Sequence, residues 1–472
     1  MTDSFTSRTS NRSNVVLVHC HDLGQHVGCY GADVETPNLD RIAAEGVRME
    51  NSFCTAPHCS PSRSSMMTGA YPHENGLMGL AHMGWELDDD WMTLPKYLQE
   101  VGYSTHLLGF QHEVPENPER LGYDHVDTET KRALELVDVV ADFFESAAAN
   151  TASGSGAIDA ANAPAATTLD ASPDEPFFVS IGLEEPHRPF RREYLPTETY
   201  DDPDPEEVSL DDFPYLPDEP GVREDVADLR SLIEGTLDPA IGAYREALAE
   251  AGLAEDTLFV FTTDHGLAMP RAKGTCYDPG IETTLLFHQP GVVEGGAVHE
   301  DLVSNVDLMP TLLDLLGIDP PTGVAGRSFA PLLRDDEYEP RERIFSEMTW
   351  HDRYNPIRAI RTERYKYVRN FSVLPKVFVP MDVAPTPSGR AVLEEFHVEQ
   401  RPAEELYDLK CDPHELENLA SDRTPFETAD AASGPDPDHI DALDRLREEL
   451  RKWMEATDDP LLDGPVPYPA IE

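Results

Sequence analysis

Lysine is nearly missing from this chain: there are seven in 472 residues, and lysine and arginine together supply 36 basic groups against 90 acidic ones, a net charge of −54. The acid is spread along the whole sequence instead of collecting in one tail, so a single basic partner does not account for it. Such a surface repels polyphosphate, which argues against nucleic acid as a substrate. It fits a halophilic protein, kept soluble in molar salt by its acidic exterior. At about 1 M salt a Debye length of about 3 Å removes the repulsion of a small anionic substrate. No run approaches the roughly 18 apolar residues of a membrane span, so no membrane attachment is expected. Residues Met1 to Ser13 are polar and lack the charged-then-apolar plan of a secretion signal. The six cysteines show no disulfide-scaffold spacing, and a reducing cytoplasm is the simplest expectation. The length of 472 residues allows two or three average domains, or one large α/β domain plus a smaller one.

What is present begins with buried strands that end in polar clusters. Asn14 to Val18 is a continuous apolar run with the look of a central parallel strand, and it leads into His19-Cys20-His21-Asp22. Further strands are expected near Arg48 to Cys54, at Ser104 to Gly109 (followed by His112), at Pro176 to Gly182 (followed by His187) and at Thr257 to Thr263 (followed by Asp264-His265). Helical periodicity marks Thr36 to Gly46, Leu94 to Val101, Asp225 to Ala251 and Ser304 to Leu316. From Ala147 to Glu175 the composition turns to Ala, Ser, Gly, Thr, Asp and Pro, which predicts a flexible insertion. Asp201 to Glu219 and Thr424 to Asp436 read as loops. After Pro340 short alternating strands at Arg343 to Glu347, Ile357 to Thr362, Tyr365 to Asn370 and Glu405 to Leu409 predict an antiparallel meander, closed by a helix over Asp438 to Thr457. The expected division is 1–340 and 341–472.

Cys59 is the centre of the pattern. Pro61 has the φ preset for the first turn of a helix, and Gly69 can end it. Cys59 is thereby expected at a helix N-terminus, where free N–H groups and the dipole favour an anion. Arg63, one turn on, is expected to point back toward the same spot. A single histidine or aspartate at a strand end is usually structural. Several of them at strand ends that converge describe a site: His21, Asp22, Cys59, His112, His187, Asp264 and His265.

The spacing Cys59-x-Pro61-Ser62-Arg63, then Met67-Thr68-Gly69, resembles the signature of the type I sulfatases. That resemblance implies an alkaline-phosphatase-like α/β sandwich around a large mixed, mostly parallel sheet, plus a small C-terminal α+β domain with an antiparallel sheet. It implies that Cys59 is oxidised to formylglycine by a formylglycine-generating enzyme. One hydroxyl of the hydrated aldehyde attacks sulfur, and loss of a proton from the other expels sulfate. Asp22, Asp264, His265 and His21 would hold one divalent metal, Ca²⁺ by the usual pattern. Arg63, Lys273 and His187 would balance charge on the transferred group, and His112 would fix the hydrate or take its proton. His187 or Lys273 would protonate the leaving atom. His73-Glu-Asn-Gly-Leu77, Pro356-Ile-Arg-Ala-Ile360 and Lys452-Trp453 are similar to the sulfamidase branch, which implies a small sulfated carbohydrate as substrate. The small domain would bring Trp350, His351, Asp352 and Arg358 to the pocket.

Two positions depart from the family pattern. His21 stands where an aspartate is usual; a nitrogen donor there would cost Ca²⁺ affinity and favour a transition metal, which leaves Mg²⁺ or Mn²⁺ open as the ion, or His21 does not ligate at all. Phe110 stands where a lysine is usual, so a cation is missing near the nucleophile. Two rival readings share these residues: a phosphonate or phosphate ester hydrolase on the same scaffold, and a catalytically impaired protein that binds sulfated glycans.

Overall fold

The computed structural model describes residues 12–152, 175–190, 195, 203–420 and 437–469. Eight strands form one sheet: β1 (Asn14–Cys20), β2 (Val47–Phe53), β3 (Ser104–Gly109), β4 (His125–Asp127), β5 (Phe177–Gly182), β6 (Thr257–Thr263), β7 (Leu285–His288) and β8 (Ala297–Ser304). Their order is β4-β3-β5-β1-β6-β7-β2-β8. β7 alone runs against its neighbours β6 and β2; the other seven are parallel, with β1 paired to β5 and β6.

The strand alternation explains the sandwich. On β1, Val16, Val18 and Cys20 enter one core with Leu39, Ile42, Phe144, Val222 and Tyr244 from covering helices. Val15 and Leu17 face the other side, against Met66, Met67, Leu98, Leu308, Met309 and Leu312. Both faces are covered, which is why these strands read as unbroken apolar runs and not as alternating ones.

Four antiparallel strands form a second sheet, β9 (Arg343–Trp350), β10 (Tyr354–Thr362), β11 (Tyr365–Asn370) and β12 (Glu404–Asp408), in the order β12-β11-β10-β9. One face takes the helix Pro437–Ala456 through Leu443, Leu446, Leu450 and Trp453, together with Tyr71, Leu77 and Trp85 from just beyond the Cys59 helix. The other face buries Met348, Ile357, Ala359 and Val368 against Cys276 and Phe378. The small sheet is thereby clamped between the segment after Cys59 and the loop that carries Lys273.

Three expectations are corrected. The helix that begins at Leu136 runs to Ala152, so the first residues of the supposed insertion are helical; 153–174 lie outside the described residues, as do 424–436 and the first part of 201–219. The helix expected over Asp225 to Ala251 starts at Pro220 and is interrupted by a π turn at Ile233–Leu237 before resuming at Asp238. Pro239 has no N–H to give the preceding turn, and the wider turn absorbs that loss. The helix over Ser304 to Leu316 opens as a 3₁₀ turn, Asn305–Asp307. Among the described residues no helix is long and apolar enough to cross a membrane.

Away from the Cys59 region lies a second buried charge cluster. Asp278 is ion-paired with Arg361 and Lys366, and Lys366 with Glu415 at 2.8 Å. Burial and the neighbouring carboxylates push Glu282 up to about 8 and Glu415 up to about 7. Below the ordinary glutamate value both folded and unfolded chains hold these protons. As pH rises through it, the unfolded chain releases them while the folded chain keeps them until about 7 to 8. Stability therefore falls across that window, by roughly 1.4 kcal/mol per pH unit for each proton retained. Urea midpoints measured from pH 5 to 8 should decline in the parent and decline less in Glu282→Gln; equal slopes in the two proteins would contradict this assignment.

Candidate active site

Cys59 is the first residue of the helix Cys59–Thr68, and every residue of that helix is buried. His58 precedes it in extended conformation without a side-chain cap, and Gly69 closes it in the left-handed region at φ 68°. The open N–H groups and the positive end of the dipole therefore face the Cys59 side chain. The carboxyl ends of β1, β5 and β6 deliver His21 and Asp22, His187, and Asp264 and His265 to the same place.

Asp22 and Asp264 organise the cluster. Oδ1 of Asp264 accepts from the backbone N–H of Asp22 at 3.0 Å and of His265 at 2.9 Å. Its Oδ2 accepts from Arg63 Nε at 2.9 Å and lies 3.0 Å from His21 Nδ1. Asp22, held at φ 52°, sets Oδ2 3.0 Å from Lys273 Nζ and Oδ1 2.9 Å from His265 Nε2. A positive φ at an aspartate is uncommon and costs energy, which marks this turn as one shaped by its site. Lys273 Nζ is 3.5 Å from His187 Nε2, and Cys59 Sγ is 3.5 Å from His265 Nε2.

Charges in dry surroundings are tolerated only in compensated groups. Burial pushes both carboxyls up, but Lys273, His187 and His265 hold Asp22 below the usual carboxylate range, and His265, His21 and Arg63 do the same for Asp264. Burial likewise pushes the Cys59 thiol up, yet Lys273 and His21, with His112 and His187 beside it, hold it well below its ordinary value. The pocket is an anion trap even before any cation is considered.

Several expected residues stand elsewhere or act differently. Arg63 does not point at Cys59. It is fully buried with Nε on Asp264, one terminal nitrogen 2.6 Å from His19 Nδ1 and the other on the Cys20 carbonyl, because a guanidinium in the interior must fill all its donor positions. Arg358 is not a pocket residue either. It is fully buried in an ion pair with Asp459 and donates to the Met348 carbonyl at 3.1 Å. Trp350 donates to the Val466 carbonyl at 3.0 Å and packs among Trp85, Tyr354 and Tyr468, an aromatic seam and not a pocket wall. His351 does reach the site: its ring is 5.8 Å from that of His58, and its Nδ1 is 3.0 Å from Asp352. His112 lies beside Cys59 and is buttressed by His82, whose Nδ1 is 2.9 Å from His112 Nε2. Phe110 packs on His21 at 4.5 Å between centroids, with Lys131 Nζ 5.5 Å from its ring centroid.

Sequence reasoning missed Asp382, His58, His82 and His19. His58 had a signal, its place next to Cys59. Asp382 had none, since it comes from an irregular segment whose position depends on how the small sheet docks.

The donor set fits a divalent cation. Ligand atoms of His21, Asp22, Cys59 and His187 lie within 4.8 Å of one another, as do those of Cys59, Asp264 and His265. Both ring nitrogens of His21 and Oδ1 of Asp22 are buried without a hydrogen bond of good geometry. Lone pairs left so in the interior are what a cation satisfies.

Residues 13–318 match the profile of the family described as Sulfatase, and residues 271–388 match the one described as N-sulphoglucosamine sulphohydrolase, C-terminal. Among curated proteins, N-sulphoglucosamine sulphohydrolase of Homo sapiens is 27% identical, with 96% of this chain and 92% of that protein covered. An ulvan-active sulfatase of Formosa agariphila is 27% identical over 95% of this chain and 76% of its own length. A solved structure in complex with its substrate D-glucosamine-2-N,6-O-disulfate superposes with a TM-score of 0.66 at 19% identity, covering 95% of this chain and 98% of that one.

Proposed function

This chain belongs to the sulfatase family, and from that premise we propose that Cys59 is the precursor of its nucleophile and that the substrate is a small sulfated carbohydrate. The enzyme hydrolyses a sulfate ester or sulfamate. The observation that carries the assignment of Cys59 is its place at a helix N-terminus inside the Asp22–Asp264 cluster, 3.5 Å from His265. The thiol sulfur stands in for the oxygen that formylglycine would present after maturation by a formylglycine-generating enzyme.

Hydrated formylglycine supplies the oxygen nucleophile for sulfur, and a divalent cation, when bound, supplies charge that favours its deprotonated form. The remaining work falls to side chains in place. Asp22, Asp264, His265 and His21 are the residues that would hold the cation. Lys273 and the helix N-terminus neutralise the sulfate oxygens. Arg63 acts on Asp264, fixing the carboxylate and offsetting its charge. His187 is the proton donor: it is 28% exposed, whereas Lys273 is locked between Asp22 and Asp382 with 1% exposure. As the bond from sulfur to the leaving oxygen or nitrogen breaks, the electron pair stays on that atom and takes the His187 proton. His112 accepts the proton lost when sulfate is released, and His82 holds its ring in position.

The relatives support a carbohydrate: one is a sulphoglucosamine hydrolase and another is ulvan-active. The division near residue 340 into a catalytic unit and a pocket-completing unit is part of the same reading, supported by the two separate sheets. No two of the six cysteines are joined in a disulfide, and the reducing, cytoplasmic setting expected from their spacing is part of the same reading. The acidic surface supports a salt-rich one.

Three outcomes follow. Cys59→Ala should lower kcat/KM on 4-nitrophenyl sulfate by roughly 10⁴-fold or more while keeping its thermal midpoint; retained turnover, or a parent that prefers a nitrophenyl phosphodiester, would overturn the reading. Two imidazoles beside two carboxylates favour Mn²⁺ relative to an all-oxygen set. His21→Asp should accordingly raise the ratio of Ca²⁺ to Mn²⁺ bound at equilibrium by about tenfold in elemental analysis, and an unchanged ratio would exclude His21 as a ligand. Molar KCl should raise the thermal midpoint of the parent by screening its net charge; a midpoint that falls with salt would contradict the halophilic assignment.

A further inference from the structure

Lys273 carries one positive charge between two carboxylates. Its Nζ lies 3.0 Å from Asp22 Oδ2 on the catalytic side and 2.7 Å from Asp382 Oδ2 on the other. Asp382 uses only that one oxygen; its Oδ1 is buried and has no hydrogen-bond partner. The side chain as a whole is 25% exposed, so Asp382 stands on the outer side of the Lys273 ion pair, unlike Asp22 on its inner side.

Its position is fixed by packing. The segment Val377 to Val379 is buried, and Val383 and Ala384 donate back to the Pro380 carbonyl at 3.0 and 2.8 Å. Gly274, next to Lys273, adopts φ +79°, and a Cβ there would come within 2.8 Å of Phe378. The N–H of the same glycine donates to the Pro57 carbonyl at 2.9 Å, two residues before Cys59. Asp382, Lys273 and the start of the nucleophile helix are therefore held in one rigid unit, although they come from three distant parts of the chain. On the same side Asp352 carries a second carboxylate, shared by His351 at 3.0 Å and Arg353 at 3.1 Å.

We propose that Asp382 is a specificity-determining residue that accepts a hydrogen bond from a hydroxyl or amine next to the scissile sulfate. This rests on the sulfatase reading given above. An ionised carboxylate oxygen left unmatched in a part-buried site is satisfied by a donor and made worse by an anion. The substrate class that fits is a sugar or amino-sugar sulfate with a free hydroxyl or amine on the neighbouring atom. A carboxylate or second sulfate at that neighbouring position faces repulsion from Asp382, whose charge is only partly offset because Lys273 also serves Asp22.

A residue that merely steadied Lys273 would affect every sulfate alike. The test therefore compares substrates with and without a neighbouring donor in the matured, full-length enzyme: glucosamine 6-sulfate and N-sulfoglucosamine against 4-nitrophenyl sulfate. In Asp382→Ala, activity on the aryl ester should fall through the effect on Lys273. Activity on whichever sugar the parent turns over should fall at least tenfold further, mostly as a rise in KM. Asp382→Asn, which keeps the shape and one acceptor, should recover part of the sugar-specific loss. An equal loss on sugar and aryl substrates in both variants would overturn the proposal and leave Asp382 as a support for Lys273. A parent that turns over the aryl ester and neither sugar would refute the substrate class while leaving the sulfatase reading intact. A parent inert toward all three would overturn the sulfatase reading and this proposal together.

Discussion

The structure depends on keeping two carboxylates, Asp22 and Asp264, ionised in a place with no water to solvate them. Each is fully buried, and an isolated carboxylate in such surroundings would take up a proton. Lys273 and His265 beside Asp22, and Arg63 and two backbone N–H groups on Asp264, supply the compensation. These partners come from four places: the end of β1, the end of β6, the Cys59 helix and the loop that carries Lys273. The core of the sheet must therefore form before the charges meet, and the charges in turn fix how the strand ends approach one another. Breaking the set by removing one partner leaves the others uncompensated, which is why the cluster behaves as a unit.

That cluster explains why a cysteine side chain is placed where it is. A thiol at a helix N-terminus already sits in a favourable potential. The surrounding Lys273, His21, His112 and His187 add to that potential. The fold puts Cys59 at the meeting point of strand ends, where open α/β sheets bind their ligands, and packs the small sheet between the segment after Cys59 and the loop that carries Lys273. His351 stands beside His58 with Asp352 on it, and Asp382 is on Lys273, while Trp350 and Arg358 are taken up by contacts within the C-terminal part of the chain.

Much of this was legible in the sequence. The strands β3, β6 and β11 fall at the expected bounds: β6 carries a continuous apolar run buried on both faces, and β11 belongs to an alternating antiparallel meander. The strand-end residues His21, Asp22, His187, Asp264 and His265 were legible for the same reason: a polar cluster after an apolar run is conspicuous. Residues whose roles are set by direction and not by position were not. Arg63 and Cys59 share one helix, but which carboxylate the guanidinium meets is decided by β6, some 200 positions away in the chain. Trp350 and Arg358 lie beside His351 and Asp352 in sequence, and strand alternation sends them to another layer. Asp382 lies in a segment with no periodicity, so only the docking of Phe378 on Gly274 places it. The π turn at Ile233–Leu237 hides inside a good helical pattern because a single proline does not disturb hydrophobic spacing.

The account stands or falls on what chemical group residue 59 carries in the working enzyme. The direct measurement is mass spectrometry of the Cys59 peptide from cells that make the protein natively, with aldehyde-specific hydrazide labelling as a second readout. The account predicts an aldehyde at Cys59 and nowhere else in the chain, labelled in proportion to activity across preparations. A fully active preparation whose residue 59 is an intact thiol would contradict it.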